Sequence, residues 1–264
     1  MKLMLAKIPV MTGLCLVLLG GSAPGGRFPS LRPPLETRQI NAQPEIEKAL
    51  MEALKGRSTG PLVHVRQRIR HTTTPYTRYW LSYLTLYESI YYLRQADRAH
   101  AEQAIKAGIT LLEEAPPQRA EDYALLAHLQ SFAIQFRYGM AAAMASAKVK
   151  ESAAQAQKLD ARNLRVYYVL GSNDFYTPAR YGGGKKAEGY LLKALTLPDQ
   201  TAKNSQAPSW GREQSYELLI RLYQRDNRPE LARKYYAEAH RLFPASYTLP
   251  DLGRSLAKPV AVQN

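Results

Sequence analysis

Cysteine is almost missing from this 264-residue chain: Cys15 is the only one, and it lies inside the apolar run Ile8 to Gly21. An internal disulfide and a thiolate metal cage are therefore excluded, and without that run no thiol nucleophile remains. Histidine is sparse too. His64, His71, His100, His128 and His240 show no i, i+4 pair beside an acid, the spacing a helical metal site needs. No Gly-x-Ser-x-Gly elbow occurs, and paired acids such as Glu113-Glu114 and Glu121-Asp122 fall near helix ends, where capping explains them. No hairpin signal or long alternating run announces a strand. The residues assign no catalytic role, no metal and no cofactor. Acid is also short, 22 residues against 36 basic ones. That balance favours an acidic partner such as a polypeptide, an anionic glycan or a lipid headgroup.

What is present begins with Lys2 and Lys7 ahead of the apolar run, followed by small residues near Gly20 to Gly25. A positive end, a run too short for a settled membrane span and a small-residue exit form the layout of a secretory signal peptide over residues 1–25. Its loss would remove Lys2 and Lys7 and take the formal charge from +14 to +12. An uncleaved anchor and lipid attachment at Cys15 are the alternatives. An exported protein is expected, periplasmic in a Gram-negative cell and otherwise secreted or envelope-associated, which makes nucleic acid the least favoured partner.

Residues 26–43 are rich in proline, glycine and arginine without apolar period, and read as a flexible lead-in. From residue 44 to 244 nearly everything reads as helix. Ile46, Leu50 and Leu54 recur at every fourth position, with Gly56 as the stop. Short breaks carrying Gly, Pro, Asn or Asp predict about ten helices paired as antiparallel hairpins. The tail 245–264 is expected to be partly disordered, or to fold its apolar stretch Leu249 to Leu256 over the last hairpin as a cap.

A search for repeats gives its clearest answer near the end. Tyr216, Leu219 and Tyr223 on one helix, then Ala232, Tyr236, Ala239 and Pro244 on the next, have the spacing at which small residues let two helices approach and aromatics fill the gaps. This pattern resembles the tetratricopeptide repeat family, with Ile220 where the family usually has Gly or Ala. Tyr167, Leu170 and Gly171, followed by Ala187, Leu191, Ala194 and Pro198, resemble a second unit whose central turn, Thr177 to Gly184, is four residues too long. Tyr123, Leu126 and Ala127 fit more loosely, and upstream only the architecture matches. The resemblance implies an all-α solenoid of hairpins whose first helices line a concave groove for a partner polypeptide. Carried over by position, that groove comprises Arg165, Tyr168, Ser172, Gln214, Glu217, Arg221, Gln224 and Arg225, a net basic set suited to an acidic peptide. A non-catalytic envelope adaptor follows as the expectation, with a surface-bound anionic glycan or lipid as the alternative.

Three further clusters carry expectations. Tyr76, Tyr79, Trp80, Tyr83, Tyr87 and Tyr91 share one helix face and read as core in preference to a glycan platform. Arg66, Arg68 and Arg70 fan around a helix if residues 63–71 are helical, and line up as an anion patch if extended. Gly182-Gly-Gly-Lys185-Lys186 precedes a helix and could draw an anion, but it lacks the Ser or Thr and the preceding strand of a phosphate-binding loop.

Overall fold

The structure is a computed structural model and describes residues 41–114, 119–199 and 206–256. The signal-like residues 1–25, Cys15 among them, most of the lead-in and the last residues of the tail lie outside the described residues.

Eleven α-helices and no strand occur among the described residues. They are α1 (Ala42–Gly56), α2 (Gly60–Arg70), α3 (Thr77–Arg94), α4 (Arg98–Glu113), α5 (Ala120–Ala133), α6 (Gly139–Leu159), α7 (Leu164–Tyr176), α8 (Ala187–Thr196), α9 (Arg212–Arg225), α10 (Pro229–Leu242) and α11 (Leu249–Leu256). Local chemistry sets many of their ends. Asp97 and Asn163 cap α4 and α7 by accepting from the amides of His100 and Arg165. Pro61 and Pro229 sit in the first turns of α2 and α10, where a missing N–H costs nothing. The stop expected at Gly56 falls one residue later, at Arg57, which takes the left-handed conformation with φ 49°.

Each odd-numbered helix from α1 to α9 pairs with its successor as a hairpin, and the odd-numbered helices also pack on one another in order. The result is an all-α, tetratricopeptide-like stack with two layers. The small residues of the repeat pattern explain the close hairpins. A Cβ on Gly171 would stand 2.8 Å from Leu191, and one on Gly108 1.9 Å from Thr85 Oγ1, so neither position accepts a larger side chain without movement. Ala232, Ala239, Leu219 and Tyr223 of the last hairpin are all buried. Helix α11 packs against α10 and α9 and buries Leu249 and Leu252.

Most of the aromatic face of α3 is core, with Tyr87 partly exposed. Tyr79, Trp80, Tyr83 and Tyr91 are buried, and the first three meet edge to face in turn, as in Tyr79 on Trp80 at 4.9 Å, so these four rings offer no glycan platform. Residues 60–70 are helical, which disperses the arginines. Arg66 reaches Glu88, with Nε 3.0 Å from Oε1, and Arg68 reaches Glu45 at 2.6 Å, so an aligned anion patch is absent.

Candidate functional site

The segment between α8 and α9 decides the character of the layer built from the odd-numbered helices. Residues 206–211 cross the N-terminal ends of these helices as a strap. Gln43, in the first turn of α1, accepts through Oε1 from Ser209 N at 2.8 Å and from Trp210 N at 3.1 Å. Trp80, in the first turn of α3, donates from Nε1 to the Gln206 carbonyl at 3.3 Å. Gly211 turns the chain into α9 with φ 107°, and a Cβ there would stand 2.9 Å from Leu164 at the start of α7. A left-handed turn in so tight a space admits only glycine.

Trp210 is the strap's anchor. Its indole is buried, stacks on His128 with ring centroids 5.0 Å apart, faces Tyr83 at 6.2 Å and meets Tyr168 edge-on at 6.0 Å. Its Nε1 donates to Tyr79 Oη at 2.6 Å. One side chain thus ties α3, α5 and α7 together, leaving no polar indole atom unpaired.

The strap overturns part of the expected groove. Arg165, placed by sequence on the exposed face, has no exposed surface. Its Nε and Nη2 donate to Glu121 at 2.5 and 2.6 Å, and its Nη1 donates to the Trp210 carbonyl at 3.1 Å. Tyr168 and Ser172, one and two turns further along α7, are buried as well. Trp210 of the strap covers Arg165 and Tyr168, an arrangement no repeat pattern includes. The four residues Gln214, Glu217, Gln224 and Arg225 are engaged within the protein. Gln214 Oε1 accepts from the Gly211 amide at 2.6 Å, Glu217 accepts from Thr248, Gln224 donates to Ser255 of α11 at 2.9 Å, and Arg225 lies 4.7 Å over the Phe175 ring while donating to Asp226. Arg221 remains exposed.

Burial of Arg165 removes one of the three arginines expected in the groove, while Arg221 and Arg225 stay exposed. Among the partly exposed residues of the odd-numbered helices are Glu47, Tyr87, His128, Glu213 and Glu217, with Arg221 fully exposed. Burial pushes the Glu47 carboxyl up, and its Oε1 accepts from Gln43 Nε2 at 2.9 Å, Tyr87 Oη at 3.4 Å and Tyr83 Oη at 3.5 Å. Burial also raises Glu217 to about 7, helped by the Glu213 charge and opposed by the Thr248 hydroxyl and Arg221. Glu213 acts on both other carboxyls and makes no hydrogen bond or ion pair among the described residues. Burial lowers His128 to about 4, so its ring is neutral under the stacked indole. The arrangement can accept hydrogen bonds and hold positive charge, with tyrosine hydroxyls nearby as donors. No group of three or more potential metal ligands occurs among the described residues.

The glycine-rich turn has an internal purpose. Asp174 Oδ2 accepts from the amides of Lys186 and Ala187 at 2.8 and 2.9 Å, so the start of α8 already has its anion. A Cβ on Gly183 would lie 2.0 Å from the Thr177 carbonyl, which is why the elaborated turn needs glycine. Of the site residues missed by sequence, Trp210 had the best signal: a lone tryptophan in the break Ala207-Pro-Ser-Trp-Gly211.

Known structures supply the same architecture. The fold is similar to that of a thermophilic TPR protein in Thermus thermophilus, with a TM-score of 0.52 and 18% identity over 80% of this chain and 98% of that chain. No protein-family model and no curated protein matches the chain.

Proposed function

We propose that this protein is a non-catalytic scaffold of the cell envelope that holds a segment of a partner polypeptide against its inner helical layer. The observation that carries this reading is Glu213, a half-buried carboxylate without a hydrogen-bond or ion-pair partner among the described residues, set beside Glu47 and Glu217. A partner offering a Lys or Arg side chain would supply the missing charge, while Tyr87 and Arg221 contact its backbone and acceptors. The partner chemistry is thus cationic at this face, opposite to the expectation from repeat position. Envelope location is supported by Lys2, Lys7 and the apolar run after them.

The test is a photo-crosslinking residue placed at Glu213, at Arg221, and at exposed Lys193 on α8 as a control, in intact cells. One discrete polypeptide captured from the first two positions and competed away by a basic peptide supports the proposal. Equal capture from Lys193, or none from the inner layer, overturns it.

A further inference from the structure

We infer that the N-terminal half of α6 is a docking surface for an anionic lipid bilayer. It belongs to the other helical layer, so the inference stands apart from the proposed polypeptide site.

Helix α6 has 21 residues against 14 in its hairpin partner α5, and no residue before Val149 in it is buried. The excess is apolar: Gly139 to Ala147 contains no charged residue, and Met140, Ala143, Met144 and Ala147 form an exposed stripe at i, i+3, i+4, i+7. Tyr138 just before it is 77% exposed, Met140 77% and Met144 64%. Alanine propensity keeps such a helix formed in water, but an apolar stripe of this kind has no reason to face solvent unless something covers it. Arg98 holds the tip in place, donating to the Gln135 carbonyl at 2.6 Å and to Tyr138 Oη at 3.2 Å while lying over the Phe136 ring.

Charge identifies what covers it. Lys148 and Lys150 flank the end of the stripe, Arg137 at its start is paired with Glu102, and the first acid along the helix is the exposed Glu151. An open groove of about 420 Å³ runs alongside, between α4 and α6, walled by Ile105, Ile109, Phe136 and Met144 with Lys106 and Lys148 at its rim. The acids of that groove are Glu102, which pairs with Arg137, and Glu113. An apolar stripe edged by lysines fits acyl chains below and anionic headgroups at the side. A second copy packed with the two helices parallel would bring Lys148 and Lys150 of both copies together, which disfavours that pairing.

The full chain would be sedimented with vesicles of phosphatidylglycerol and phosphatidylcholine, and with phosphatidylcholine alone. Wild type is compared with Met140→Glu/Met144→Glu and with Lys148→Ala/Lys150→Ala, so that any contribution of residues 1–25 is common to all three. The expected result is at least tenfold weaker partitioning of the methionine variant into anionic vesicles, and a smaller loss with reduced salt dependence for the lysine variant. Melting curves should stay unchanged, since the replaced side chains are exposed. Equal partitioning of all three chains overturns the inference. So does light scattering that shows a wild-type dimer and a monomeric methionine variant, which would assign the stripe to self-association.

Discussion

Arg165 and Glu121 form a two-bond ion pair between α7 and α5, with no exposed surface on the arginine and 13% on the glutamate side chain. The pair sits beneath the Trp210 carbonyl and so joins two hairpins to the strap. Burying both charges is costly, and the pair persists because each donor and acceptor is matched.

Removing one partner therefore leaves an uncompensated buried charge. Arg165→Met should cost about 3–5 kcal/mol. Arg165→Met combined with Glu121→Met should recover most of that loss. Urea unfolding of wild type and the two variants checks it, and equal losses in the single and double variants would show that the pair matters only through packing.

Trp210 carries the strap. Trp210→Ala removes its stacking on His128 and its bond to Tyr79, and should cost about 3–5 kcal/mol. Because Gln43 is held by the amides and the Ser209 hydroxyl of the strap and by its own bond to Glu47, hydrogen exchange at the start of α1 should quicken in the same variant. Quickening confined to α9 would mean that the strap does not couple the two ends of the stack.

Glu217 and His128 act on stability with opposite sign over one pH window. Glu217 rises from 4.5 to about 7, so the folded state holds its proton more tightly, and the stability this gives below pH 4.5 is lost as pH climbs to 7. His128 falls from 6.5 to about 4, so its contribution is complete above pH 6.5 and is lost as pH drops toward 4. Relative to wild type, Glu217→Gln should become more stable as pH rises through this window, and His128→Phe less stable. Urea midpoints measured across the window decide it, and parallel curves for all three proteins would contradict both assignments.

The repeat spacing of Tyr216 to Ala239 was legible because close helix packing restricts residue size at fixed intervals, and the alternating hairpins followed from short polar breaks. The tyrosine face of α3 was legible as core for the same reason. The groove was not. Its expected residues were placed by register along α7 and α9, and register says which side a residue takes but not whether another segment lies over that side.

The sequence by itself determined the helices, their pairing, the small residue at Gly171 and the overall excess of base, since each depends on neighbours along the chain or on composition. Only the tertiary structure decided that Arg165 is buried, that Trp210 closes the N-terminal ends of the odd-numbered helices, and that glutamates occupy the inner layer. Those outcomes depend on contacts between residues 45 to 167 positions apart, such as Arg165 with Trp210 and Gln43 with Trp210. No local period encodes such contacts, because the energy that selects them appears only once the hairpins have stacked.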